Sequence, residues 1–579
     1  MAAHRLPLQD RGTDRFLRPV IADPSGGHGL RGRPGLAGDR HSRGVPDHRH
    51  DPGVHAVHSW VTANDDPTSG LVTRARPHQA GVLAPSPKAG SCMSSGTFKR
   101  YVHRAGTLAT AVLVTVTCVA GTSAAREQSL RDGARGEHLA GLVNIKRAQN
   151  HLAALEAAAD RGGGSRAPGT RGFELSQAYV RKQLRNAGYE VQEQSFSFLF
   201  TQDLDARYQY PGTGEEVKIK TINFTPSTPT EGLEGTVVPV PLNGAPGCTP
   251  ADYANLPIKG AIALVRRGGC RFTDKQKIAA GAGATAVLFY NDQPGLLYAS
   301  LATPEDGLIP SGAMTAAQGE ELARRAADGT LQIRVFLRQL VENRTTSNLI
   351  AETRAGDPSH VLMVGAHLDS VPEGPGINDN GSGAAGTLEL ALALARSSNP
   401  LSEKVRFAWW SAEEWGQIGS ESYLKAIPAD QKAKISGYID LSKLGSPNYI
   451  RGYLDPTDED HSGGPVGAPG SAELQTALKR GLTHSGNPAI PLDLNGSRQA
   501  DWISFFDQSI PVAGLFSGSE GDKTAHEAEL FGGEPGKPYD PCQHTPCDRR
   551  TNINPQIFGQ NIKAAAYALT LLTNPEAHK

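Results

Sequence analysis

The chain has 579 residues, with 58 Lys and Arg against 59 Asp and Glu and a net charge of −1. That length exceeds one ordinary domain, and the near-neutral balance excludes a basic field for nucleic acid or a charged tail, so any recognition must be local. Its six cysteines lack the paired C-x-x-C spacing of zinc ribbons. Cys248 with Cys270, and Cys542 with Cys547, suit two short-range disulfides in an oxidising compartment; buried free thiols are the alternative.

Residues 1–92 are rich in Arg, His, Pro and Gly and show neither helical nor strand periodicity. They read as a disordered leader, or as a mis-assigned start ahead of translation from Met93. Residues 93–125 read as a signal peptide: Lys99, Arg100 and Arg104, then an uncharged stretch from Ala105, then the small-residue exit Thr122-Ser123-Ala124-Ala125. This implies a secreted, extracellular protein with no stable membrane association. From Glu137, the residues Leu139, Leu142, Val143, Ile145, Leu152 and Leu155 follow helical spacing. A second helix is expected from Glu174 to Ala187, closed by Gly188, with a strand after it. Residues 215–340 change character, with strands at Val237–Val240, Gly260–Cys270 and Ala286–Tyr290 and a helix at Lys275–Ala282. The run Arg267-Gly268-Gly269-Cys270-Arg271-Phe272, with Lys275, Gly281-Ala282-Gly283-Ala284 and Tyr290-Asn291-Asp292, resembles the protease-associated domain. That resemblance implies a lid or docking role.

From Thr345 strands and helices alternate: Ser347–Glu352, the almost wholly apolar His360–Gly365, the Ala/Leu-rich helix Gly383–Arg396, and Val405–Trp410. The expected fold class is α/β, a mostly parallel sheet flanked by helices on both faces, with a small β-rich insert. Such sheets carry their sites at the carboxyl ends of strands, where three motifs fall. Gly365-Ala366-His367-Leu368-Asp369 offers an imidazole with a carboxylate two residues on, an arrangement that fixes the tautomer of a metal-binding histidine. Asn378-Asp379-Asn380-Gly381 enters the next helix, and its carboxylate could bridge two metals or merely cap a turn. In Trp410-Ser411-Ala412-Glu413-Glu414, one glutamate can ligate zinc while its neighbour takes a proton from water. Near the C-terminus His544 stands between Cys542 and Cys547, where a disulfide would hold a loop ligand rigid.

In this order the motifs resemble the co-catalytic zinc aminopeptidases of the secreted bacterial leucine-aminopeptidase and aminopeptidase Y type, a zinc exopeptidase fold, over residues 137–214 and 341–579. The resemblance implies two zinc ions per chain and peptide substrates cleaved at the N-terminus. His367 would serve one zinc, Asp379 would bridge, Glu414 and His544 would serve the other, Glu413 would be the general base, and Asp369 would orient His367. Three positions depart from the pattern. Ser442 stands where an aspartate ligand is expected, with Asp440 the nearest carboxylate and a candidate ligand only if the backbone bulges; strand spacing puts the two about 6–7 Å apart on one face. Gln499 and Gln543 replace an arginine and a tyrosine, the latter a donor to the carbonyl oxygen. The rival reading is a secreted binding or scaffold protein that keeps the fold without turnover.

Overall fold

The computed structural model describes residues 133–574 except 294, 298, 460, 462, 495–499 and 520. The leader, the signal peptide, Cys92, Cys118 and Gln499 lie outside the described residues. The first apolar run forms two helices where one was expected, 133–142 and α1 (Ile145–Arg161). Asn144 breaks them: its side chain accepts from Arg147 N at 2.9 Å, while its own N–H donates to Glu389 Oε1 at 2.7 Å. A short polar side chain that binds nearby backbone favours a cap over helix continuation. Helix α2 (Arg171–Asn186) is capped by Thr170 and followed by Gly188 at φ 89°.

Strands β1 (Glu190–Gln209) and β8 (Gln332–Glu352) are much longer than the sequence pattern suggests and pair antiparallel from Glu190↔Glu352 to Gln209↔Arg334. Between them lie β2 (Glu216–Lys218), β3 (Lys220–Thr221), β4 (Leu233–Pro239), β5 (Ile262–Arg266), α3 (Phe272–Gly281), β6 (Ala286–Tyr290), β7 (Ser311–Met314) and α4 (Ala316–Arg325). β4 to β7 pair in parallel and β4 joins the first half of β8. The Cys248–Cys270 disulfide forms. Position 340 falls inside β8, so the strand that closes the insert is also a strand of the main sheet.

Besides the short helices Ala429–Lys432, Trp502–Phe506 and Ala525–Phe531, the rest includes β9 (Asp357–His367), α5 (Gly381–Leu394), β10 (Glu403–Trp410), α6 (Ile418–Ala426), β11 (Ile435–Ser442), β12 (Gly452–Asp455), α7 (Ser471–Thr483), β13 (Ile490–Asp493), β14 (Val512–Phe516) and α8 (Pro555–Leu572). The main sheet runs β13-β12-β14-β11-β9-β10-β8, with β1 beyond β8. It is parallel across β14-β11-β9-β10, and β8, β1 and β12 pair antiparallel at its flanks. Side chains alternate across strands, which sorts the core into two layers. Leu362, Val364, Phe407, Trp409, Ile439 and Leu441 join one cluster with residues of α1, α2, α5, α7 and α8. Val361, Met363, Ala408, Trp410 and Tyr438 join another with Tyr423 and Leu424 of α6 and with Trp502 and Phe505. Helices therefore cover both faces, and polar chemistry is left to the strand ends.

Candidate metal centre

Parallel pairing sets the depth of each candidate residue. Trp410 lies opposite His367 and Asp440 opposite Gly365, so His367, the Glu413-Glu414 turn and the end of β11 meet at one sheet edge. The turn after β10 passes through Ala412 at φ 59°. Asp369 then clamps it, its two oxygens accepting from Glu413 N and Glu414 N, each at 3.3 Å. The same carboxylate lies 3.7 Å from His367 Nδ1. Asp379 sits in the loop that enters α5; its N–H and that of Asn378 donate to Asp548 at 3.0 and 2.8 Å. The Cys542–Cys547 disulfide forms and holds His544 at φ 55°.

These loops bring Asp379, Glu414 and His544 together, with one ligand atom from each lying within 4.8 Å of the others. His544 Nε2 is 3.2 Å from Asp379 Oδ2 and 3.1 Å from Glu414 Oε2. An imidazole with two carboxylates is a donor set that zinc favours. Glu414 Oε1 is buried without a hydrogen-bond partner, which a cation would remedy. His367 stands beside this group: its Nε2 is 3.4 Å from Asp379 Oδ1 and 3.4 Å from Glu413 Oε2. Asp440 is turned elsewhere, its Oδ2 accepting from Trp502 N at 3.0 Å, and Ser442 Oγ is buried without a partner. Gln543 Nε2 donates to Asp379 Oδ2 at 3.1 Å.

The electrostatics describe an acidic cage. Burial opposes protonation of both histidines, yet the carboxylates outweigh it. Glu413, with Asp369 and Asp379, pushes His367 well up, and Glu414 with Asp379 does the same to His544. Burial also raises Glu413 to about 7, against the pull of His367 and with reinforcement from Glu414. Burial raises Asp440 to about 6. Asp379 goes the other way: burial is outweighed by Lys443 and the two histidines, which hold its carboxyl well below the usual range. A pocket that demands positive charge this strongly is suited to a cation.

Two residues that the sequence reading passed over shape the site. Arg166, wholly buried, donates to the Leu368, Pro375 and Gly376 carbonyls and so ties the His367 loop to the Asp379 loop. Lys443, directly after β11, places Nζ 3.3 Å from Asp379 Oδ1. The available signal was a lysine closing the buried run Tyr438-Ile439-Asp440-Leu441-Ser442. The site opens into a cleft of about 400 Å³, lined on one side by Glu413, Glu414, Trp415, Lys443 and His544 and on the other by insert residues such as Asn223 and Leu297.

An α/β sheet that gathers a histidine, an aspartate and a glutamate around a cation-demanding cleft, with a second glutamate alongside, defines the class of metal-dependent hydrolases. Comparison with known proteins narrows this. The model of Peptidase family M28 matches residues 348–569, and the PA domain model matches residues 233–322. The chain is similar to an aminopeptidase of Pseudomonas aeruginosa, 37% identical over 75% of this chain and 82% of that protein. It is also similar to the probable lipoprotein aminopeptidase LpqL of Mycobacterium tuberculosis, 36% identical over 73% of this chain and 83% of that protein. The fold is shared with BSAP, a zinc aminopeptidase from Bacillus subtilis, at a TM-score of 0.55 and 22% identity, over 76% of this chain and 97% of that one. The chain belongs to Peptidase family M28, as a metallo-aminopeptidase with an inserted PA domain.

Proposed function

We propose that the protein removes N-terminal residues from peptides with a divalent metal ion, zinc by donor preference, held by Asp379, Glu414 and His544. The observation that carries this reading is the convergence of Asp379 Oδ2, Glu414 Oε2 and His544 Nε2 from three loops far apart in sequence. An ion held there would polarise the scissile carbonyl and acidify a water. Glu413 accepts the proton of that water and passes it to the leaving amine; burial raises its carboxyl above the ordinary glutamate value, the direction that favours taking up a proton. Asp369 fixes the Glu413-Glu414 turn through two backbone N–H bonds. Gln543 lines the cleft and can offer its amide to the carbonyl oxygen. In the two-ion form implied by the resemblance, His367 and Asp379 would hold the second ion, and Ser442 would offer it only a neutral hydroxyl.

The insert, residues 215–340, roofs the cleft and selects what enters. The two disulfides support an oxidising, extracellular location and the reading of residues 93–125 as a cleaved signal. Among the described residues no helix is long and apolar enough to cross a membrane. The test is hydrolysis of an aminoacyl chromogenic substrate that stops on chelation and returns with zinc. A zinc-loaded, folded protein without chelator-sensitive cleavage would favour the scaffold reading.

A further inference from the structure

We propose that the Lys443 ammonium takes the place of the second cation, so that this chain binds one divalent ion and not two. The inference rests on the metal site of Asp379, Glu414 and His544 and concerns the other side of Asp379. That carboxylate is divided. Oδ2 faces His544 and Gln543 at 3.2 and 3.1 Å, whereas Oδ1 faces His367 Nε2 and Lys443 Nζ at 3.4 and 3.3 Å. A second zinc bridged by Asp379 would need to lie about 2.0–2.2 Å from both Oδ1 and His367 Nε2. It would then press against an ammonium already paired with the same oxygen, and like charges that close repel strongly where water is scarce.

The remaining donors on this side do not make good the loss. Ser442 Oγ is neutral, and Asp440, whose Oδ2 accepts from Trp502 N, does not join the cluster of candidate ligand atoms. Lys443, by contrast, is firmly placed. Its backbone lies at φ 53°, a left-handed conformation that L-residues seldom adopt. It is kept there by a bond from its N–H to Asn380 Oδ1 at 3.0 Å and by Ser517 N donating to its carbonyl at 3.1 Å. Lys443 is 6% exposed and its ammonium borders the cleft. The charge balance agrees: an aspartate at position 442 with a dication carries +1, as does Ser442 with a lysine ammonium. The cage around His367 and Glu413 thus meets the same net charge from a tethered group that cannot dissociate.

Zinc per chain, measured by plasma mass spectrometry on the full chain after zinc loading and dialysis, tests this. One equivalent is expected in the wild type and in His367→Ala, and two in the Ser442→Asp/Lys443→Met double variant. Two equivalents in the wild type, or loss of the ion in His367→Ala, overturns the proposal. So does a double variant that keeps the wild-type circular dichroism and melting point yet holds one ion. Should the double variant not fold, the wild type and His367→Ala decide alone. Failure of the underlying metal reading has a different signature: no zinc in the wild type, or one full equivalent retained in Glu414→Gln.

Discussion

Glu413 and Glu414 are neighbours in sequence with opposite tasks, and the clamp from Asp369 is what separates them. Both backbone N–H groups of the turn point at Asp369, which sends the Glu414 carboxylate towards His544 at 3.1 Å and the Glu413 carboxylate towards His367 at 3.4 Å. Glu413→Gln is expected to keep zinc content at the wild-type level while kcat falls about 10²–10⁴-fold, the usual worth of a positioned general base; steady-state kinetics with metal analysis on one preparation checks it. His544→Ala is expected to lose the ion itself, read as zinc content after dialysis. The histidines and the paired glutamates stood out in the sequence because several modest motifs fall in order at the ends of buried strands, and their roles came from the resemblance that this order carries. Lys443 did not, since a lysine at a strand end is ordinarily a solvated residue, whereas here it is buried on a left-handed backbone. Asp440 was read as a possible ligand because it is the carboxylate nearest to Ser442, where the resemblance expects an aspartate, and only on condition of a bulge; its Oδ2 accepts from Trp502 N, a residue 62 positions away that strand spacing cannot see.

Helix α5 follows the Asp379 loop directly, so its anchoring governs where that carboxylate sits. All of its residues are buried, Glu389 included. That side chain accepts from Asn144 N at 2.7 Å and from Arg147 Nε and Nη2 at 2.7 and 2.6 Å. Burial raises its pKa, but His151, Arg147 and the Asn144 N–H outweigh it and hold the carboxyl below its ordinary value. The stabilisation is therefore fully present above the ordinary glutamate value and is lost as pH falls through the lower folded-state value. Glu389→Gln is expected to destabilise by about 3 kcal/mol, as when one partner of a buried ion pair is removed, and to flatten the acid limb of stability against pH; urea unfolding at a series of pH values measures both. The Cys542–Cys547 loop spans five positions, for which chain entropy gives about 2 kcal/mol. Its removal in Cys542→Ser/Cys547→Ser should weaken zinc affinity, because His544 sits inside the staple, and isothermal titration reads this directly.

At the scale of the molecule, the insert is not hung from flexible joints. β8 carries it, pairing with β4 through Leu233↔Val335 to Thr236↔Gln332 and with β10 through Arg406↔Glu352 to Trp409↔Leu349. A single 21-residue strand thus belongs to both sheets, and β1 accompanies it along almost the whole length. Calorimetry should show one cooperative transition in place of two; a separate early melt of the insert would contradict this coupling. Lys220 Nζ adds a bond across the cleft to Glu373 at 2.8 Å. Alternating apolar runs made the central sheet and its covering helices readable in sequence, as in β6, where expected and observed bounds coincide at Ala286–Tyr290. Only the start of β1 and the end of β8 were expected as strands; the middle of the ribbon is half-exposed and polar, so periodicity fades although backbone pairing continues. The convergence of His367, Asp379, Glu414 and His544 likewise depends on loop placement, which no local pattern encodes.

Whether the three-loop cluster holds an ion is tested most directly by anomalous X-ray scattering at the zinc edge from crystals of the zinc-loaded protein. The expected result is one peak per chain, bounded by Asp379, Glu414 and His544, with the Lys443 ammonium still beside Asp379. No peak within that cluster, or one centred on His367 and Asp440, would contradict the account.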